Sequence, residues 1–325
     1  MQASLGKIIY DKYGTFIILA VLIIFFWIEA PGFGSWGNLT NVLRTGAVYI
    51  LFGCGMTFVM ISGKIDLSIG AVAALVGCSV SLFMQSGMGT IPASIMGIII
   101  GLACGFINGF CIAKLRVPFF IMTAGMMYAA SGLALVITHQ TSVRIAHVDK
   151  GIPFEFWGSK TLPLIPGKIV IPSQFIVAII FFVICFYLMK NTKMGRYTYA
   201  IGSNEKTARL SGVNVDLYNI LIFTLNGLAA AIAGLVLASR LMTGSPNVAD
   251  GGYNILAIAA AAIGGTSLSG GEGNIVKTVV GAFVICVIST GLNILGVTSS
   301  VQNIVIGAVL VIVVAVDMLG KSKRD

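Results

Sequence analysis

The sequence predicts an all-α integral membrane protein of about ten transmembrane helices with both termini in the cytoplasm, and three observations predict it. The first is composition: of 325 residues, 57% are hydrophobic and only 10% charged, against about 25% charged in a soluble globular domain. The second is the recurrence of apolar windows close to the roughly 20 residues a helix needs to cross hydrocarbon. The third is sidedness. With the N-terminus placed inside, 14 of the 20 Lys and Arg residues fall on the cytoplasmic side and 6 outside, the asymmetry that orients polytopic proteins. A soluble enzyme, a coiled coil and a disordered chain are excluded, because too little polar surface is left to cover a fold of this size. The formal charge of +9 does not mark a nucleic-acid binder, since the basic residues punctuate apolar runs and form no stripe.

In chain order the ten windows cover residues 13–28, 45–62, 67–86, 91–113, 118–138, 173–189, 217–239, 253–270, 278–295 and 299–316. Lys7 and Lys12 precede the first window as in a signal peptide, but Glu29-Ala30-Pro31 is a poor cleavage site, so this segment is expected to remain a helix. Trp27 and Trp36 fall at the outer interface, where indole prefers to sit, while Tyr10, Tyr13, Tyr187 and Tyr218 flank the inner one. The fourth window repeats Gly97, Gly101, Gly105 and Gly109, and the seventh carries Ala230, Gly234 and Ala238. Such small faces let helices approach closely, either as fixed packing or as faces that slide.

Polar groups inside the windows are few. Asn108, Asn226, Asn254, Asn293, Gln302 and Asn303 need partners in hydrocarbon, so they either bond between helices or line a path for a polar solute. Asn108, Asn226 and Asn293 are the candidates for the path. Asp66 and Asp317 are expected at inner span ends, and no carboxylate pair lies within a window. A proton-driven carrier places ionisable groups near midplane, so any pumping energy is expected from elsewhere; sodium coupling through carbonyls stays open. The six cysteines sit in apolar stretches without a CxxC pair and read as reduced core residues. No cofactor or metal is expected, for no HExxH, GxSxG or ligand cluster occurs.

The chain reads as a single transmembrane domain, 1–325, with two long loops. The external loop 139–172 holds four of the eight prolines and is expected to form an irregular cap, its His139 and His147 solvated rather than metal-bound. The loop 190–216 faces the cytoplasm. There Asn204 suits an N-cap, Glu205 complements a helix start, Arg209 lies in the last turn and Gly212 suits a left-handed C-cap. A two-turn helix follows, too short to stand alone, which either packs into a partner's groove or lies on the headgroups as a structural turn. Two motifs mislead. The run 315–322 loosely matches a phosphate loop but lies at the membrane edge with no helix after it, and Leu268-Ser-Gly-Gly-Glu272 resembles an ATPase signature without an ATPase domain around it.

Five ordered phrases carry a resemblance: ISGKIDLSIG at 61–70, FINGFCIAKLRVPFFIMTAGMM at 106–127, GRYTYAIGSNEKTARLSGVNV from Gly195, AIGGTSLSGGEGNI at 262–275 and TGLNILGV at 290–297. Together they cover nearly the whole chain, which resembles the ribose-type permease subunits of bacterial ABC sugar importers. The resemblance implies a non-enzymatic subunit of the cytoplasmic membrane that pairs with a second permease copy and with two cytoplasmic ATPases, and receives a monosaccharide from an extracytoplasmic binding protein. It implies that 190–216 is the coupling loop, with Ser203, Asn204, Glu205, Ala208, Arg209, Ser211 and Gly212 in the stretch that meets the ATPase. Ribose, xylose, galactose and autoinducer-2 all fit these phrases. A permease for branched-chain amino acids and a self-contained secondary carrier are the rival readings. ISGKIDLSIG and IGGTSLSGGEG also share an apolar run and a Leu-Ser-x-Gly turn, a faint sign of related halves.

Overall fold

The computed structural model describes residues 5–145, 153–165 and 169–322; His147, read above from sequence, lies outside them. The chain runs α1 (Leu5–Glu29), α2 (Trp36–Ile61), α3 (Ile69–Gln85), α4 (Thr90–Ala113), α5 (Phe119–Ile137), β1 (Val143–Arg144), β2 (Thr161–Ile165), β3 (Ile169–Pro172), α6 (Ser173–Asn191), α7 (Lys193–Ser203), α8 (Glu205–Leu210), α9 (Val215–Leu241), β4 (Thr243–Gly244), α10 (Tyr253–Ile263), α11 (Ile275–Ile294) and α12 (Ser299–Ser322). Every apolar window contains a helix, though not always over its full length. Among the described residues α2, α4, α5, α6, α9 and α11 are long and apolar enough to cross a membrane, and shorter apolar stretches cover Tyr13–Glu29, Ile69–Gln85 and Ser299–Ile312. The fold is nearly all-α, with strands among the described residues confined to the ribbons β1–β4 and β2–β3.

The boundaries differ from the windows for physical reasons. Helix α2 starts where the Ser35 hydroxyl accepts the Asn38 N–H at 3.2 Å, well before residue 45. A window defined by absence of charge stops at Arg44, whereas backbone hydrogen bonding continues through it. At the other end, α12 continues to Ser322, so the run resembling a phosphate loop is helical backbone with no loop to cradle an anion. Helix α10 is the opposite case: it ends at Ile263, and Gly265 at φ +79° turns the chain away. Its 11 residues span only about 16 Å at the helical rise, a broken crossing where a full one was expected.

Helix α9 is the centre of the packing. On one side Gly227 and Ala231 meet the glycine stripe of α4, where a Cβ on Gly101 would stand 2.5 Å from that of Ala231 and a Cβ on Gly105 would strike the Phe223 carbonyl. On the other side Gly234 touches the Ala73 backbone of α3, and Ala238 packs near Gly77. Both small-residue stripes are therefore close contacts between backbones, the arrangement that lets helices associate where apolar side chains gain nothing over lipid. Gly105→Val is expected to force α4 from α9 and destabilise the subunit by about 1–3 kcal/mol or more, read as a lowered melting temperature in detergent. An unchanged melting temperature would show that the stripe is not a close contact.

Outside the helices, the 139–172 segment is more regular than expected. Thr161–Ile165 and Ile169–Pro172 pair as an antiparallel hairpin, and a 3-10 turn at Phe154–Trp157 is pinned by Ser239 Oγ donating to the Phe154 carbonyl at 2.7 Å and by Trp157 Nε1 donating to Ser94 Oγ at 3.0 Å. His139 is exposed at φ +50°. All six cysteines are free thiols, five buried and Cys111 partly so.

Candidate functional site

Two tight turns and one short helix converge. The turn from α2 to α3, residues 62–68, carries Gly63 at φ +76°, and the turn from α10 to α11, residues 264–274, carries Gly270 at +84° and Gly271 at +75°. These left-handed positions are where only glycine is comfortable, and they let the two backbones meet. The Gly271 N–H donates to the Ile61 carbonyl at 2.9 Å, and a Cβ on Gly270 would lie 2.8 Å from Gly63 Cα. The two phrases that look alike in sequence therefore lie against each other, each joining an incoming helix to an outgoing one. Helix α7 closes the seam. Gly202 has no side chain to hold it off, and its Cα sits against the Ile61 carbonyl and the Gly271 N–H; the Tyr199 hydroxyl donates to the Gly273 carbonyl at 2.8 Å.

Helix α8 follows directly. Asn204 caps it as the sequence predicts, its Oδ1 accepting the Thr207 N–H at 2.9 Å, and Gly212 ends it at φ +84°. Ser203 Oγ donates to the Tyr199 carbonyl and Ser211 Oγ to the Thr207 carbonyl, both at 2.9 Å. Glu205 reaches the Lys64 ammonium at 3.3 Å and Arg209 at 3.7 Å. Arg209 also hydrogen-bonds Asp216 at 2.8 Å, which receives Lys114 at 3.2 Å and Arg116 at 3.4 Å. That hydrogen bond raises the Arg209 pKa further above its ordinary value, so the guanidinium stays charged across the physiological range. Exposed pairs of this kind contribute about 0–1 kcal/mol each; Lys64, with its side chain 10% exposed, anchors the most sheltered one. Charge thus ties α8 to the 62–68 turn, to the first turn of α9 and to the α4–α5 connection.

The site residues read from sequence divide accordingly. Ser203, Asn204, Arg209, Ser211 and Gly212 are exposed and Glu205 is half-buried, but Ala208 is packed inside with Ile201 and Val215. Sequence reasoning missed Leu210, 89% exposed at the tip of α8, and it missed α7. The signal for α7 was Thr192, whose side chain accepts the Met194 N–H as an N-cap; the glycines at 195 and 202 masked it.

A second cluster lies deeper. Asp66, 2% exposed, accepts the Ser68 N–H at 2.8 Å and the Ser68 hydroxyl at 2.6 Å on one oxygen, and the Asn226 amide at 2.9 Å on the other. Asn108 donates to Ser68 Oγ at 3.0 Å. At the helical rise, Asn226 stands about 16 Å along α9 from Val215, and Asn108 about 8 Å along α4 from Ala113. Asp66 stands, as expected, in the turn that ends α2 and begins α3, but that turn folds inward and the carboxylate is buried among donors. No ion pair of Asp66 occurs among the described residues. Asn108 and Asn226 are brought together by Asp66 and Ser68, whereas Asn293 is exposed near the far end of α11.

The family model described as branched-chain amino acid transport system / permease component matches residues 38–314. The ribose import permease protein of Bacillus subtilis (strain 168) is 40% identical over 321 residues, 98% of this chain and 97% of the relative. That of Escherichia coli (strain K12) is 36% identical over 303 residues, 93% of this chain and 92% of the relative. The D-allose transport system permease protein of the same strain is 35% identical over 312 residues, 95% and 92% respectively. No solved structure matches the chain.

Proposed function

We propose a function from one premise: this chain belongs to the family of branched-chain amino acid transport system permease components. It is a ribose-type, multi-pass permease subunit of an ATP-binding-cassette sugar importer in the bacterial cytoplasmic membrane, a transport subunit rather than an enzyme. Ribose is the substrate that fits best, since relatives 36–40% identical over more than nine tenths of the chain are ribose import permeases.

The finer reading takes the chain as one permease domain, 1–325, with ten crossings and both termini in the cytoplasm. The 139–172 loop is then external and the 190–216 loop couples to the ATPase. Two copies enclose a central path, two ATPase subunits dock on α8, and an extracytoplasmic binding protein delivers the sugar. The seam around Gly202 carries this reading. When ATP draws the ATPases together, the exposed Leu210 tip and the ion pairs of Glu205 and Arg209 move with them. Gly202 and Tyr199 then pass the displacement to the 62–68 and 264–274 turns, and so to the starts of α3 and α11. Asp66, gripping Asn226 and the Ser68–Asn108 pair, extends it to α4 and α9. Asn108 and Asn226 act on the path through Asp66, while Asn293 stays a candidate at its outer mouth.

Competition for uptake tests the substrate. In cells expressing the subunit with its ATPase and binding protein, excess unlabelled ribose is expected to suppress labelled ribose uptake and excess leucine to leave it unchanged. Uptake of leucine that ribose does not inhibit would favour the amino-acid reading instead.

A further inference from the structure

The stretch between α9 and α10 is irregular. After β4 it makes a 3-10 turn at Pro246–Asp250, then Gly252 at φ +68° starts α10. It runs alongside α3: a Cβ on Gly244 would meet Gly77 and Ser81, and the Ala249 carbonyl lies near Gly70. At the helical rise Gly70 is about 22 Å along α3 from Gln85, so the stretch descends most of the length of that helix. The Tyr253 ring lies 5.1 Å from that of Phe52, which is about 24 Å along α2 from Trp36 and about 14 Å from Ile61. This is bilayer depth. Irregular backbone is tolerated there only inside protein or along a water-filled cavity, and a carboxylate facing hydrocarbon is costly. Yet Asn247, Asp250 and Gly251 are exposed, and Tyr253 and Asn254 are partly so. Water held within the assembled importer is the environment that satisfies all of them.

We infer that this stretch lines the solute route and that Asp250, Asn247 and Asn254 bind the hydroxyls of a monosaccharide, with the Tyr253 ring beside its C–H face. The inference rests on the sugar-permease reading and adds the residues that read the substrate. A carboxylate accepts hydrogen bonds and two amides both donate and accept, which suits a neutral polyol whose every hydroxyl does both. Asn254 already lies against Met127 of α5, Nδ2 to Sδ 4.0 Å, so α5 forms the adjoining wall.

The test uses the complete importer in proteoliposomes. With Cys111→Ser removing the native thiol that is not buried, Asn254→Cys is expected to react with a charged, water-soluble thiosulfonate, and ribose with its binding protein is expected to slow that reaction. Asp250→Asn is expected to lower ribose uptake by about tenfold or more, the scale of one lost charge-assisted hydrogen bond, with complex assembly and ATP hydrolysis retained. Labelling of Asn254→Cys only by a lipid-soluble reagent, or wild-type uptake in both Asp250→Asn and Asn254→Ala, would overturn the inference. If the unsubstituted importer moves no ribose, the sugar reading itself fails, while the labelling still reports whether the stretch faces water.

Discussion

Gly202→Val is expected to abolish most ATP-driven uptake while leaving the ATPases able to hydrolyse ATP. The position has no room for a Cβ: the Ile61 carbonyl and the Gly271 N–H already occupy it, and both are backbone atoms that cannot rotate aside. The hydrogen bond from Gly271 to Ile61 at 2.9 Å runs directly beneath, so a side chain there either lifts α7 off the seam or breaks that bond. Overpacking of this kind costs about 1–3 kcal/mol, equivalent to about 5- to 150-fold in an equilibrium that the coupling helix must bias. The measurement is ribose uptake per ATP hydrolysed in the reconstituted importer, with co-purification of the ATPase as the control for assembly. Uptake and hydrolysis that stay in their normal ratio would show that α7 does not transmit force through this contact.

Asp66→Ala is expected to destabilise the subunit more than any single surface change. Removing the carboxylate leaves the Ser68 N–H, the Ser68 hydroxyl and the Asn226 amide without the acceptor they share. Each orphaned buried donor costs about 1–3 kcal/mol, so a loss of about 3 kcal/mol or more is expected, seen as a lower unfolding midpoint in detergent. The double replacement Asp66→Ala with Asn226→Ala is expected to be less damaging than the sum of the single ones, because one orphan is removed with its partner. Strict additivity would mean that the two side chains do not depend on each other.

Much of this was legible before folding. Composition and window length located the helices, and the Asn204 cap and left-handed Gly212 located α8 within the 190–216 loop. Other features were hidden because they depend on depth. Asp66 adjoins an apolar window in sequence, and nothing local says that its turn folds inward to reach Asn226. The window at 253–270 is uniformly apolar, yet α10 stops at Ile263 because the glycines after it are needed to meet Gly63 and Ile61 across the seam. The glycine stripe of α4 announced close packing without naming α9 as its partner. Arg44 hid the first turns of α2, and the hairpin at 161–172 was hidden among prolines. Buried amides were legible as polar groups in hydrocarbon, but only the packing shows that Asn226 bonds Asp66 and Asn108 bonds Ser68 while Asn247 and Asp250 are exposed.

Uptake into proteoliposomes made with and without the ATPase subunits is the most direct measurement of where the work of transport comes from. With ribose, its binding protein and ATP, accumulation is expected only when permease and ATPase are both present, and it should stop when the ATPase cannot hydrolyse. Accumulation of ribose by the permease alone, driven by a proton or sodium gradient with no nucleotide in the system, would contradict a subunit that takes its motion from α7 and α8.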